Sequence, residues 1–138
     1  MAAMALLRHE DLPVRMEEDV VRVRQIVRRW AVEMGFSLVE QTKIVTASSE
    51  LARNTVIYGG GGQVRMEALN DGSRRGLRLT FEDRGPGILD AAQALQDGYT
   101  TGTGLGLGLG GARRLMDEFA IVSAIGTGTI VTMKKWVA

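Results

Sequence analysis

The stretch GYTTGTGLGLGLGGARRLMDEF, residues 98–119, carries most of the information about the fold. It places seven glycines within the fourteen residues from Gly98 to Gly111 and continues without a break into an amphipathic helix, predicted from about Leu107 to Phe119. Glycine-rich backbone before a helix offers unpaired N–H groups and the positive end of the helix dipole, and both favour phosphate oxygens. Leucines alternate with these glycines, whereas a solvated linker favours serine. The pattern therefore predicts a loop that wraps phosphates.

Two familiar phosphate-binding fingerprints do not describe this loop. The Walker pattern is absent because no Gly-Lys pair is followed by serine or threonine. A formal G-x-G-x-x-G occurs at Gly106, Gly108 and Gly111, but no strand is predicted before it. A Rossmann site also needs an acidic residue for the ribose about 20 residues after the glycines, but this chain reads IVTMKK at residues 130–135. These observations exclude dinucleotide binding of the Rossmann type.

Composition narrows the class of protein. The 138 residues suit a single domain spanning 1–138, and the net charge of +1 gives no overall attraction to nucleic acid or to an anionic membrane. There is no cysteine, which excludes a disulfide framework, and the single histidine, His9, argues against a metal cluster. No apolar run approaches the roughly 18–20 residues of a membrane span. We expect a soluble cytoplasmic protein with no nucleic acid and no membrane as partner.

The rest of the chain predicts helices interspersed with antiparallel strands. A short strand, LRHEDLPVRM at residues 7–16, precedes a helix that Gly35 ends, and a second helix begins at the N-cap Ser37, with Glu40 three residues on. Residues 63–70 and 76–83 flank an Asp-Gly turn and predict one hairpin, and residues 120–125 and 129–136 predict another. Apolar residues at helical spacing mark the buried face of the first helix: Met16, Val20, Val23, Val27, Ala31 and Met34. We expect an α+β sandwich of two layers, with helices on one face of a mixed, mostly antiparallel sheet.

Two short motifs carry further candidate chemistry. In ELARN, residues 50–54, spacing of four places Glu50 and Asn54 on one helix face, where a carboxylate serves as a general base and an amide oxygen suits a hard cation. A solvated helix face is the alternative for this pair. In DRGPG, residues 83–87, Asp83 follows a strand and is able to accept a hydrogen bond from an amine, while the two glycines let backbone approach a flat ligand. An ordinary turn is the alternative here.

The joint order of the motifs is more specific than any one of them. A helical E-x-x-x-N, then D-x-G-x-G after a hairpin, then G-x-G-x-G before a helix, then GTGT at residues 126–129 resembles the Bergerat ATP-binding fold of the GHKL proteins, shared by gyrase, Hsp90, histidine kinases and MutL. The resemblance covers the chain from about Leu12 onwards. The length leaves no room for a transducer domain or a phosphoacceptor helix pair, which favours the single-domain serine/threonine kinases of bacterial partner-switching systems.

Within those systems the chain looks most like the stressosome switch kinases of the RsbT type. It is less similar to the anti-sigma-factor kinases, which often have histidine where this chain has Tyr58. The resemblance implies ATP and Mg²⁺ as cofactors, Glu50 as the base for the substrate hydroxyl, and Asn54 as the magnesium ligand. The residues that it assigns to nucleotide binding are Asn54, Asp83, Gly85, Gly87, Gly102, Gly104, Leu105, Gly106 and Thr129.

These residues have distinct implied roles. Asp83 accepts from the adenine amino group in a network that Thr129 completes, and Gly85 and Gly87 shape the adenine pocket. By the resemblance, backbone N–H groups of Gly104, Leu105 and Gly106 are expected to bind the phosphates. Residues 88–101 are expected to form a short lid that encloses the nucleotide incompletely and lets it exchange.

The resemblance also implies protein partners. The expected substrate is a serine or threonine on a STAS-domain protein that sequesters the kinase. The freed kinase is expected to activate a PP2C-like phosphatase or another downstream output. A nucleotide-responsive docking module with little catalysis, and an anti-sigma-factor kinase that binds a sigma factor, remain alternatives. The intact Glu50 favours a kinase, since a module that only binds ATP has no use for a base.

Overall fold

The computed structural model describes residues 4–87 and 108–138 of the chain. Three helices and five strands follow one another within these residues. Their order and bounds are β1 (Ala5–Val14), α1 (Glu17–Met34), α2 (Leu38–Ile57), β2 (Gly62–Asn70), β3 (Arg75–Asp83), α3 (Gly108–Leu115), β4 (Glu118–Ala124) and β5 (Gly128–Trp136). None of the helices in these two ranges is long and apolar enough to cross a membrane.

The five strands form one sheet in the order β1-β2-β3-β5-β4. All four pairings between these strands are antiparallel. Alternate side chains of the inner strands are buried against the helices, while the opposite face carries ion pairs such as Arg65–Asp11 and Arg78–Glu67. The sheet contributes these side chains to the core: Val64, Met66, Leu77, Leu79, Phe81, Val131 and Met133. The predicted two-layer α+β sandwich is confirmed.

Local signals in the sequence determine where the first two helices begin and end. The Asp19 carboxylate accepts the backbone N–H groups of Arg15 (2.9 Å) and Met16 (3.2 Å), which makes Met16 the N-cap of α1 and not its first turn. Gly35 ends α1 in the left-handed conformation at φ 88°, which glycine adopts without strain. The Ser37 hydroxyl accepts the N–H of Glu40 at 3.2 Å and caps α2, as predicted.

The prediction of a last helix reaching Phe119 is wrong, because α3 ends at Leu115. The backbone N–H of Asp117 donates to the carbonyl of Lys134 at 3.0 Å, and Phe119 pairs with Met133 in the sheet. Pairing with β5 therefore takes the chain into β4 from Glu118 onwards, and Phe119 still packs against the core. The first strand also lies two residues earlier than predicted, at 5–14 instead of 7–16.

A buried lysine ties α2 and the end of α3 to the sheet. Lys135, on β5, is 6% exposed. Its ammonium lies 2.8 Å from the Glu40 carboxylate and donates to the Leu115 carbonyl at 3.0 Å and to the Asp117 carboxylate at 3.4 Å. The hydrogen bond from Lys135 lowers the pKa of the Glu40 carboxyl. This network fixes the C-terminal end of α3, whose other end meets the candidate site.

Candidate functional site

Glu50 is a buried carboxylate at the centre of the site. It lies on α2, is 7% exposed, and its Oε1 accepts the backbone N–H of Gly108 at 3.0 Å. Gly108 is the first residue of α3 and belongs to the glycine-rich stretch; it lies 58 residues further along the chain than Glu50. Its other oxygen, Oε2, accepts no hydrogen bond from any residue in the described ranges and lies 3.9 Å from Nη1 of Arg53. One oxygen is thus engaged by the backbone of α3, and the other accepts no hydrogen bond within the described part of the chain.

Asn54 lies one helical turn after Glu50, on the same side of α2. Its backbone carbonyl accepts the N–H groups of Tyr58 (2.9 Å) and Gly59 (3.1 Å), which closes the C-terminal end of the helix. The half-buried side-chain amide makes no hydrogen bond with any residue of 4–87 or 108–138. The side-chain carbonyl oxygen of Asn54 is therefore suited to bind a cation, since hard cations prefer oxygen ligands.

Asp83 ends β3 beneath the connection between α2 and β2. Its Oδ1 accepts the N–H of Gly85 at 2.9 Å, whereas its Oδ2 accepts none from the residues that the structure describes. Gly59 lies directly against this carboxylate, because a Cβ added at Gly59 would be 2.5 Å from both Cβ and Cγ of Asp83. The turn therefore holds one carboxylate oxygen and leaves the other free to accept a hydrogen bond from an amine.

The glycines that follow Asp83 bring three backbone segments close together. A Cβ at Gly85 would lie 2.8 Å from the Cα of Gly59. Gly87 has φ +82°, and a Cβ there would lie 2.3 Å from the carbonyl oxygen of Ala124. Both positions therefore require glycine, and the surface next to Asp83 is formed by backbone atoms and not by side chains.

Thr129 completes the constellation from β5. It pairs with Asp83 across the β3–β5 ladder, so the two side chains are neighbours on the same face of the sheet. Thr129 is 9% exposed, and its hydroxyl lies 2.9 Å from that of Ser123 on β4. The sheet register thus brings together two residues that are 46 positions apart in the sequence.

The structure therefore brings Glu50 and Asn54 together on one helix, and Asp83, Gly85, Gly87 and Thr129 together at one end of the sheet. The remaining candidate residues, Gly102, Gly104, Leu105 and Gly106, and the proposed lid at 88–101 lie outside the described residues.

Four residues of the site were not predicted from the sequence. Arg53 stands three residues after Glu50, and this helical spacing was the available signal. Gly59 belongs to a run of four glycines, which indicated a turn but not its contact with Asp83. The contacts of Gly108 and Ser123 had no local signal, because they depend on how distant elements pack.

Comparison with known proteins identifies the family. The model of the histidine kinase-like ATPase domain matches residues 12–135. The serine/threonine-protein kinase RsbT of Bacillus subtilis is 46% identical over 123 residues, which cover 89% of this chain and 92% of that protein. The anti-sigma F factor of Geobacillus kaustophilus is 32% identical over 138 residues, with 94% and 92% covered.

A solved structure agrees with these sequence matches. The crystal structure of the RsbU and RsbW domains of a Mycobacterium tuberculosis protein superposes with a TM-score of 0.64 at 25% identity, over 93% of this chain and 31% of that longer one. The Bergerat arrangement expected from the motifs is thus confirmed, and ATP use follows from it. The chain belongs to the family of histidine kinase-like ATPase domains, among its serine/threonine kinases of the RsbT type.

Proposed function

We propose that this kinase transfers the γ-phosphate of ATP to a serine or threonine of a STAS-domain protein, as the switching step of a bacterial stress or signalling pathway. The observation that carries the proposal is the hydrogen bond between the buried Glu50 carboxylate and the Gly108 N–H at 3.0 Å. It joins the candidate base to the start of α3, which lies within the glycine-rich stretch, and this supports a role for Glu50 next to the predicted phosphate loop.

Glu50 acts as the general base in this proposal. Its Oε2 takes the proton of the substrate hydroxyl while the hydroxyl oxygen bonds to the γ-phosphorus and the bond from phosphorus to the leaving oxygen of ADP breaks. The proton then passes from Glu50 to solvent, and no covalent intermediate on the protein is required. Holding Oε1 on the Gly108 N–H fixes the orientation of the carboxylate, and such positioning supplies much of the catalysis of phosphoryl transfer.

Asn54 is the residue proposed to hold magnesium. Its side-chain carbonyl is half-buried, one turn from the base, and makes no hydrogen bond with a residue in the described part of the chain. Asn54 would hold the ion through this oxygen, and the ion would supply positive charge that offsets the negative charge of the phosphates.

Asp83 and its neighbours form the proposed adenine pocket. In this proposal Oδ2 of Asp83, which accepts no hydrogen bond from a described residue, accepts from the adenine amino group, and Thr129 extends this network. Gly85 and Gly87 shape the pocket through close-packed backbone. By the family resemblance, backbone N–H groups at residues 102–106 bind the phosphates. We expect rapid exchange of ADP past the short segment 88–101, measurable as fast release in a stopped-flow chase.

The partners follow from the same proposal. The STAS-domain substrate sequesters the kinase until its phosphorylation releases it, and the free kinase then activates a PP2C-like phosphatase. The identity of 32% with an anti-sigma F factor supports a second candidate, in which the partner is a sigma factor.

Transfer of labelled phosphate tests the proposal. Wild type and Glu50→Gln are incubated with labelled Mg-ATP and the STAS-domain proteins encoded beside the gene. Glutamine retains an oxygen for the Gly108 N–H, so α3 stays in place while the base is lost. Glu33→Gln serves as the control, because Glu33 is an exposed glutamate on α1 that pairs with Arg8 on β1.

Wild type and Glu33→Gln are expected to transfer label to a serine or threonine. The rate of transfer with Glu50→Gln is expected to be at least about a hundred-fold lower, because loss of a general base typically slows a reaction by this much or more. Tight ATP binding and a stable complex without label would instead support a docking module.

A further inference from the structure

Arg53 is an exposed arginine placed directly beside the candidate base. Its side chain is 49% exposed, whereas that of Glu50 is 8% exposed, and Nη1 lies 3.9 Å from Oε2 of Glu50. This contact is the only ion pair or hydrogen bond that the Arg53 side chain makes with the residues of 4–87 and 108–138. A guanidinium has five N–H donors in a planar fork, so most of its donors remain available.

The surface around Arg53 is suited to contact with another protein. Ile57 lies one turn further along the same face of α2 and is 59% exposed, and Tyr58 follows at 39%. Thr46, two turns before Arg53 on this face, is also exposed. The edge of the site thus combines one cation with exposed apolar groups and a small side chain that leaves space.

Arginines on the adjacent helix α1 are further cations that an acidic partner could meet. Helix α1 packs against α2 and carries four exposed arginines that form no ion pair with a residue of the described ranges. They are Arg22, Arg24, Arg28 and Arg29. By contrast, Arg8, Arg65 and Arg78 elsewhere on the surface each pair with a carboxylate at 2.8 Å. Guanidinium groups that have no such pair are able to bind carboxylates of a partner, although acidic residues balance the net charge of α1.

Geometry restricts how a phosphate acceptor reaches Glu50. Its Oε1 is engaged by the Gly108 N–H, so a hydroxyl must approach Oε2, which is the oxygen that lies near Arg53. Chain on either side of that hydroxyl therefore passes close to the guanidinium. An arginine fork binds a carboxylate through two parallel hydrogen bonds, which fixes the orientation as well as the distance of the bound segment.

We propose that Arg53 recognises the phosphate acceptor by binding a carboxylate that lies beside the phosphorylated serine or threonine of the partner protein. The inference rests on the proposed kinase function and adds the chemistry that the acceptor must present. Arg53 is thus a specificity residue for the protein substrate, while Asp83 and Asn54 serve the nucleotide.

Steady-state kinetics with Arg53→Gln and Arg53→Lys test this inference. The acceptor is the STAS-domain protein that wild type labels, and the affinity for ATP is measured separately with a fluorescent nucleotide. Loss of a hydrogen-bonded ion pair predicts an acceptor KM raised roughly ten-fold or more by Arg53→Gln, with ATP affinity changed less than about two-fold. Lysine keeps the charge without the fork and is expected to restore part of the loss.

Arg74→Gln is the matched control. Arg74 also pairs with a carboxylate three residues away, Asp71, and its side chain is likewise 49% exposed, but it lies in the turn between β2 and β3. The acceptor KM is expected to stay unchanged in this variant. Arg53→Glu combined with an acceptor whose neighbouring acid is changed to arginine is expected to recover transfer that either change alone abolishes.

Three results would overturn the inference while wild type still transfers phosphate: an unchanged acceptor KM, a parallel loss of ATP affinity that assigns Arg53 to the nucleotide, or failure of the charge exchange. Absence of transfer by wild type would reject the proposed function itself, so the two failures are distinguishable.

Discussion

Gly59→Ala offers a sharp test of the proposed adenine pocket, because the added methyl group would lie directly against the Asp83 side chain. A Cβ at position 59 would lie 2.5 Å from Cβ and Cγ of Asp83 and 2.6 Å from its Oδ2. Gly59 does not have a positive φ, so alanine fits the backbone there. The strain therefore falls on the Asp83 side chain, which must rotate or shift.

The expected cost follows from the hydrogen bonds of that carboxylate. Displacement removes the hydrogen bond from the Gly85 N–H, which lies 2.9 Å from Oδ1, and moves Oδ2 away from the position proposed for the adenine amine. A hydrogen bond to a charged group contributes about 1.5–3 kcal/mol, which corresponds to ATP binding weakened about ten- to hundred-fold.

Isothermal titration with ATP, alongside thermal unfolding, measures both effects. Gly60→Ala is the control, because Gly60 has φ +72° and a Cβ there meets no atom within 4 Å. It is expected to lower the free energy of unfolding by about 1 kcal/mol through backbone strain while ATP affinity is retained. Asp83→Asn supplies the reference for loss of the carboxylate.

A double mutant decides whether the methyl group acts through Asp83. If it does, adding Gly59→Ala to Asp83→Asn weakens ATP binding little further, since the two changes remove the same interaction. Wild-type affinity in Gly59→Ala, or full additivity of the two changes, would refute the reasoning.

Two further predictions concern the sheet. Lys135→Met removes the buried ammonium that binds Glu40, and urea titrations at neutral pH should show the free energy of unfolding lowered by about 2 kcal/mol. This loss is smaller than that expected for a fully buried ion pair, because Glu40 is partly exposed. The hydrogen bond from Lys135 lowers the pKa of Glu40 from its usual 4.5. This stabilisation is therefore fully present above pH 4.5 and is lost as the pH falls through the lowered pKa. The unfolding curves of wild type and Lys135→Met should converge in acid. Thr129→Val keeps the shape of the side chain but removes the hydroxyl that lies 2.9 Å from that of Ser123. Because a neutral hydrogen bond is lost, calorimetry should show ATP binding weakened about three- to ten-fold. Unchanged affinity would place Thr129 outside the proposed adenine network.

Several features of this protein could be read directly from the sequence. Helix α1 ends at Gly35 and α2 begins after Ser37 because these signals act within a few residues through backbone conformation and side-chain caps. The order of the glycine and acidic motifs identified the ATP-binding fold, since nucleotide contacts require particular residue types at short, regular spacing. The placement of Glu50 and Asn54 on one helix face followed from helical periodicity alone.

The tertiary structure decided the features that depend on contacts between distant segments. Helix α3 stops at Leu115 because Asp117 bonds to β5, an interaction that outweighs the helical pattern continuing to Phe119. The bond from Gly108 to Glu50 likewise spans 58 residues. Periodicity and caps express forces within a few residues, whereas sheet register and helix packing select among many long-range pairings, and only the folded chain determines which of these pairings form.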